Sequence, residues 1–494
     1  MQTIANLLPE IFLALAIVFA LFLELLAGHR ASRALPWFGV LALLFVAWTS
    51  VRRAVPGLDV AVAGDVLRPD FLTVAVRVLA CAAGVITLTA ATGSREMERH
   101  GRPGEFTILA MGLVLGAMVF ASAANLLTLY VGLEFLSLTG YALAGLRVGS
   151  RSASEAGLKY VLFGGISSAL MLFGMSHLFG LAGSLDIATI GQKLASVRPE
   201  PALLVPLLLV GVGFAYKLAL VPFHFWSPDV YQGCPRVSAA ILTTVPKLAG
   251  FIGLLHFLQL LLGSGSLLFL PSGTVATFVA VLAMVTMLVG AFTALSQSDA
   301  RRILAFSSVT NAGVMLLAVG NWNASSSMAA LLFYFTGYLF ANMGAFLALD
   351  WICDDGRDTS LSELSGAWSR HPYAVLSLSL CVLSLVGLPP FAGFLGKWNL
   401  LKSVLDPAIN QGGRTAFLWA AFAVVASSVV LAFAYLRIVR AAVVSDEESQ
   451  PREEEADYRP SGESPWALIL CVTLTVVLGA GWPLLDLFSR WLMP

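Results

Sequence analysis

Apolar residues in this chain run in unbroken blocks parted by short polar stretches; they neither alternate nor confine themselves to one helical stripe. Blocks of about twenty residues suffice to cross about 30 Å of hydrocarbon as helix. Fourteen are predicted, at 7-27, 33-50, 69-92, 105-121, 123-146, 153-180, 201-226, 236-262, 272-294, 301-320, 325-350, 372-404, 414-440 and 465-489. Barrel strands would instead alternate over about ten residues. The pattern therefore predicts an all-α integral membrane protein of about 14 transmembrane helices.

Two blocks carry breakers in their interior. Pro222 lies in the seventh, and Pro389, Pro390, Gly393 and Gly396 lie in the twelfth. Proline removes an amide donor and clashes with the preceding turn, and the freed backbone groups survive at membrane depth only where protein or a water-filled cavity satisfies them. Paired breaks in corresponding segments point to inverted-repeat transporters. Spans four to eight are thus expected to recur as nine to thirteen, giving two inverted five-helix repeats, each containing a broken helix. Isolated proline kinks are the plainer alternative. On the repeat reading the chain divides into an N-terminal three-helix segment (1-104), a first repeat (105-265), a second repeat (266-443), and a loop with the C-terminal helix (444-494).

Composition agrees: 58% hydrophobic against 12% charged residues over 494 positions is more apolar surface than a soluble core can hide. The first block lacks a basic leader and contains Glu10 and Glu24, so a retained helix is expected. Lys and Arg concentrate in the loops after odd-numbered spans, which favours both termini outside the cytoplasm. The acidic run at 445-464 then reads as a solvated cytoplasmic loop. Cys81, Cys234, Cys353, Cys381 and Cys471 are scattered without CxxC spacing, which speaks against a cluster or zinc site in this chain. His177, His224 and His256 fall on separate spans and suggest no haem ligand pair, and the Gly-Val-Gly at 211-213 lies inside a span and is no dinucleotide fingerprint.

Charges inside the spans carry the candidate chemistry. Arg77, Lys159, Lys217, Lys247 and Lys397 lie within apolar blocks, where insertion of a central Lys costs roughly 2.5 to 3.5 kcal/mol. Arg77 and Lys159 sit near block ends, and snorkelling explains them as well as function does. The other three are deep and stand beside breakers; Lys247 follows Pro246 and shares a face with Thr243 and Thr244, whose hydroxyls are expected to hold water beside the ammonium. Glu134 is the carboxylate deep in a long block, with Tyr130, Ser137 and Tyr141 on its side. Burial lowers a lysine's proton affinity and a nearby carboxylate restores it, so a movable Glu–Lys pair is a proton switch. His224, just past the first break, titrates near neutrality and suits a relay; Asp229 is expected to satisfy the half-helix or the loop.

The segments VPFHFWSPDVYQGCP, VPKLAG, RRILAFSSVTNAGVM and GLPPFAGFLGKWNLL resemble the antiporter-like proton channel subunits of respiratory complex I, most closely the subunit N branch of bacterial NADH:quinone oxidoreductases. The resemblance spans all fourteen blocks. It implies that Glu134, Lys217, His224, Lys247 and Lys397 line a hydrophilic proton-translocating axis. It also implies that NADH, FMN, iron-sulfur clusters and quinone are held by partner subunits and that this chain binds none of them. The implied partners are other membrane subunits, including antiporter-like subunit M and small subunits such as K and J, in the bilayer of the bacterial inner membrane with both termini periplasmic; no nucleic acid is expected. A subunit of a multisubunit cation/proton antiporter, or of a related membrane-bound oxidoreductase, is the alternative. Two positions depart from the family: Asn311 stands where a histidine is common, and Cys234-Pro235-Arg236-Val237 replaces Ala-Pro-Thr-Pro.

Overall fold

A computed structural model describes residues 7–27, 32, 34–53, 66–68, 70–94, 96–97, 102–196, 204–262, 273–322, 324–353, 359–410, 415–444 and 465–481. The acidic run at 445-464 lies outside the described residues. In chain order the helices are α1 (Leu8–Ala27), α2 (Leu35–Arg53), α3 (Phe71–Ala91), α4 (Pro103–Ser122), α5 (Leu126–Ala144), α6 (Arg151–Ala182), α7 (Ile187–Ser196), α8 (Leu204–Leu218), α9 (Trp226–Gly233) and α10 (Arg236–Leu242). They continue as α11 (Val245–Leu262), α12 (Thr274–Leu295), α13 (Ala300–Val319), α14 (Ser325–Ile352), α15 (Ala367–Arg370), α16 (Pro372–Val386), α17 (Ala392–Asn410), α18 (Thr415–Val443) and α19 (Trp466–Val477). The chain is an all-helical membrane protein. Among the described residues, eleven helical spans are long and apolar enough to cross a bilayer, with shorter apolar helices at Leu204–Leu218, Pro372–Val386 and Trp466–Ala480.

Helix starts follow local chemistry. Asp70, Asn125, Ser150 and Asp299 accept from the amides of Thr73, Leu127, Ala153 and Arg302, satisfying first-turn donors that lipid cannot satisfy. Burial sorts the helices. The spans of α13 and α14 are each 94% buried, whereas those of α6 and α18 are 33% buried and expose Leu, Val and Phe outward. On α6 the buried positions Ala153, Ala156, Tyr160, Gly164, Ser167 and Met171 recur every three or four residues, one narrow stripe facing inward. Where α4 crosses α5 the backbones nearly touch: a Cβ on Gly116 would meet Leu136 N at 2.6 Å, and one on Gly132 would meet Phe120 N at 2.6 Å. Small residues allow that approach, and dispersion drives the association.

The N-terminal helices attach through buried charge. Arg77 Nη2 pairs with Glu10 Oε1 at 2.6 Å, tying α3 to α1 and accounting for Arg77 without snorkelling. His256 on α11 meets Ala121 O through Nδ1 at 2.6 Å and Asp70 Oδ2 through Nε2 at 2.7 Å; both partners are acceptors, which suits a protonated ring. Burial alone would raise the Asp70 carboxyl, but the His256 charge and hydrogen bond and the Thr73 amide outweigh it and hold its pKa at about 2.

Both broken spans end their first half alike. At the end of α8, Leu220 N donates to Ala215 O and Ala219 takes φ 55; at the end of α16, Leu388 N donates to Leu383 O and Gly387 takes φ 91. Each is a Schellman-type stop in the left-handed region, three residues before the proline of a cis peptide (Val221-Pro222 and Pro389-Pro390). Ala219 carries a side chain where glycine is easier. Exchanging it for Gly relieves about 1 kcal/mol of backbone strain but removes a fully buried methyl worth about 0.8 kcal/mol. Ala219→Gly is therefore expected to leave the melting temperature of the assembled protein within experimental error. Ala219→Val puts a β-branched residue at positive φ and overpacks the site, at a cost of at least about 2 kcal/mol; a clear fall in the melting temperature checks it.

A third interruption was not legible in the sequence pattern. The eighth predicted block is two helices, α10 and α11, joined by a turn at Thr243 and Thr244. Lys247 N bonds Thr244 O at 3.1 Å just beyond it.

Candidate functional site

Lys217, Lys247 and Lys397 each stand beside one of these interruptions and are 1%, 1% and 6% exposed. Their ammonium groups are held by different means. Lys217, in the last turn of α8, donates to Ser137 Oγ on α5 at 2.9 Å. Lys247 donates to Ser308 O at 2.7 Å and Ser308 Oγ at 2.9 Å on α13. Lys397, on α17, reaches back across its own break to Leu385 O at 3.0 Å and Val386 O at 2.8 Å, and to Ser428 Oγ on α18 at 3.0 Å. Those two carbonyls end α16 and have no partner within that helix, and a cation suits the negative end of the helix dipole.

The hydroxyls beside Lys247 are arranged otherwise than expected. Thr243 Oγ1 and Thr244 Oγ1 bond back to carbonyls of their own helix, at Ala239, Ala240 and Ile241. Hydroxyl back-bonding of this kind loosens a helix. The group that touches the Lys247 ammonium is Ser308, from the Phe-Ser-Ser-Val-Thr-Asn run of α13. That run of hydroxyls inside an apolar block is the signal that sequence reasoning passed over.

Glu134 lies one turn before Ser137 on α5. It forms no ion pair with Lys217 in this conformation, and its buried Oε1 has no hydrogen-bond partner. Tyr141 packs edge-on against Tyr160 at 4.8 Å, and Tyr160 stacks on Trp226 at 4.4 Å, so an aromatic wall closes this side of the first break. The freed polar groups of the break find protein partners. Val221 N donates to Thr286 Oγ1 on α12 at 3.3 Å, and Trp226 Nε1 donates to Tyr216 O at 3.2 Å.

His224 is buried between the rings of Phe225 (4.5 Å) and Phe306 (6.4 Å). Its Nδ1 has no hydrogen-bond partner, and no protein hydrogen bond joins it to Lys217 or Lys247. Asp229, five residues on, accepts from Lys159 Nζ and from Arg302 Nη1, both at 2.7 Å, and so fastens the second half of the broken helix to α6 and α13. This gives Lys159 a structural partner. Asn311 accepts from the Tyr334 hydroxyl at 2.8 Å and donates to Ser307 Oγ at 3.2 Å. Among the described residues no group of three or more His, Cys, Asp or Glu side chains converges as a metal site.

Residues 123–433 match the family described as NADH:quinone oxidoreductase/Mrp antiporter, TM. The NADH-quinone oxidoreductase subunit N of Anaeromyxobacter sp. (strain Fw109-5) is 34% identical over 98% of this chain and 94% of that protein. Among solved structures, a chain of respiratory complex I from Thermus thermophilus superposes with a TM-score of 0.76 at 30% identity, covering 96% of this chain and 98% of that one. A chain of the Mrp complex from Dietzia sp. DQ12-45-1b gives 0.82 at 20% identity over 99% and 97%, a likeness of fold.

Proposed function

The chain belongs to the NADH-quinone oxidoreductase subunit N family, and from that membership we propose that it is a proton-translocating subunit coupling quinone reduction elsewhere in the complex to proton movement along its buried axis. One observation carries the mechanism: three ammonium groups are buried at three interruptions of the membrane helices. An interrupted helix offers unpaired carbonyls and amides that a uniform helix seals, and a buried lysine beside them loses a proton as the ammonium, or regains it as the amine, when a neighbour moves.

In this reading Glu134 and Lys217 form the first switch, Lys247 is the central carrier, and Lys397 is the far one. His224 relays between Lys217 and Lys247 through water bound at its free Nδ1. Lys397 releases its proton by leaving the carbonyl cap of α16. The repeats at 105-265 and 266-443 are supported by matched details. Leu126 N donates to Leu185 O and Ile187 N to Ala124 O; at one constant displacement along the chain, Ala300 N donates to Thr359 O and Leu361 N to Ser298 O. If each counted span crosses the bilayer, the first clasp, at the start of the fifth span, and the second, at the start of the tenth, fall at opposite ends of the bundle, as inversion requires. Counting the three short apolar helices as spans makes fourteen, with 1-104 and 444-494 flanking the repeats.

The same reading puts the chain in the bacterial inner membrane with both termini periplasmic and NADH, FMN, clusters and quinone in other subunits. Its neighbours are then membrane subunits such as M, K and J. Affinity purification from gently solubilised membranes tests this: cluster-bearing and quinone-binding proteins should copurify, and loss of this chain should abolish NADH-driven proton pumping. Purification with no redox protein, together with cation/proton exchange, would instead select the antiporter reading.

A further inference from the structure

Where α3 and α14 end and α19 begins, the chain leaves a cavity of about 30 Å³. Leu347, Ala467 and Leu468 give it an apolar wall, while Ser94, Asp350 and Trp351 line the rest. Asp350 and Trp351 are partly exposed, so the cavity opens to the surface beside them. Trp466, next to Ala467 at the start of α19, is 72% exposed. Tryptophans at the ends of membrane helices sit at the level of the lipid headgroups, and these two place the cavity at that depth.

The charges around it are unevenly satisfied. Glu96 accepts from the Arg236 backbone amide at 2.9 Å and from Arg147 Nη1 at 2.9 Å. Asp350 has less: Arg236 Nη1 donates to Cys353 O at 2.7 Å and comes only to 3.6 Å from Asp350 Oδ1, beyond hydrogen-bond length. Two carboxylates and two guanidiniums thus cancel in charge while one carboxylate keeps acceptor capacity. Ser94, 2% exposed, lines the same cavity beside Asp350, and its Oγ has no hydrogen-bond partner. A buried hydroxyl and an incompletely bonded carboxylate facing one space call for a donor in that space.

We propose that this cavity seats the primary ammonium of a zwitterionic ethanolamine phospholipid, whose N–H groups donate to the Asp350 carboxylate and to Ser94 Oγ. The volume suits about two water-sized groups, an ammonium and its first methylene. A trimethylammonium is too large and has no N–H to donate. A bare cation would leave the neutral cluster with an unbalanced charge beside Arg236, whereas the zwitterion carries its own phosphate, which stays in the headgroup layer. Arg236, one of the two departures from the family pattern, is the positioning residue: its bond to Cys353 O fixes the end of α14 and with it Asp350. Bound there, the lipid joins the ends of α3 and α14 to the start of α19.

The test uses the complete, assembled complex in detergent, equilibrated with ethanolamine or choline phospholipids that carry a photoactivatable diazirine near the glycerol end of one acyl chain. After irradiation, labelled peptides are counted by mass spectrometry. The ethanolamine lipid should label the peptides holding Trp351 and Trp466 at least about fivefold more than the choline lipid does, because charge-assisted hydrogen bonds to Asp350 are open only to the former. Asp350→Asn, which keeps the size and removes the charge, should bring the two lipids level, and Ser94→Ala should cut the preference by part of that. If Asp350→Asn fails to assemble, Leu468→Trp, which fills the cavity from its apolar wall, should abolish the preference instead. Equal labelling by both lipids in the unaltered chain overturns the site, as does a preference that survives Asp350→Asn or Leu468→Trp. Protection by free ethanolamine as effective as by unlabelled lipid at the same concentration would assign the cavity to a soluble ammonium and overturn the lipid.

Discussion

Lys247→Ala is expected to lower proton pumping by at least about a hundredfold, the lower end of what a positioned proton carrier contributes, while the protein still assembles. Assembly should survive because a central lysine opposes membrane insertion by roughly 2.5 to 3.5 kcal/mol, so its removal lightens that load. The group left behind, Ser308, keeps its bond to Ala305 O at 2.8 Å. Electron transfer should fall with pumping if the two are tightly coupled. Quinone reductase activity and vesicle acidification measured on the same assembled variant check this. Normal acidification would exclude Lys247 from the pathway.

The second large effect is expected at Lys217 and Glu134. The ammonium now rests on Ser137, one turn along α5 from Glu134, so trading the neutral hydroxyl for the carboxylate calls for a displacement of about one helical turn. Lys217→Ala should cost about tenfold or more in pumping, and Glu134→Gln several-fold, through loss of the charge that stabilises the protonated amine. The double variant should be no worse than the poorer single one, a coupling within the roughly 0.5 to 3 kcal/mol seen for interacting neighbours. Ser137→Ala, which removes only the resting partner, should matter less than either. Losses that simply add would show that the two groups act independently.

Several features of the site were readable residue by residue. Lys217, Lys247 and Lys397 stood out because a cation in an apolar block violates the cost of desolvation wherever the helix lies. The breaks at Pro222 and Pro390 followed from the missing amide of proline, and the helices do stop within a few residues of them. By contrast, the turn at Thr243 and Thr244 escaped notice, since neither residue forbids a helix. It depends on partners across the bundle, with Asn342 Nδ2 and the Tyr338 hydroxyl donating to Thr243. Glu10 likewise read only as an interruption of the first block, although it is the buried partner of Arg77 sixty-seven positions away.

The sequence by itself determined that this chain lies in a membrane as helices, where two of those helices break, and which charges they carry inward, because hydropathy, proline geometry and the cost of a buried charge are properties of a few consecutive residues. Only the tertiary structure decided which neighbour each charge meets: Ser137 for Lys217, Ser308 for Lys247, the α16 carbonyls for Lys397, and Asp350 with Cys353 O for Arg236. In water a helix declares its inward face by an apolar stripe. Inside a bilayer that contrast vanishes, as on α14, whose residues are apolar nearly all round. Which face turns inward is then set by close packing against other helices and by scattered polar contacts, and these pairings exist only once the bundle has assembled.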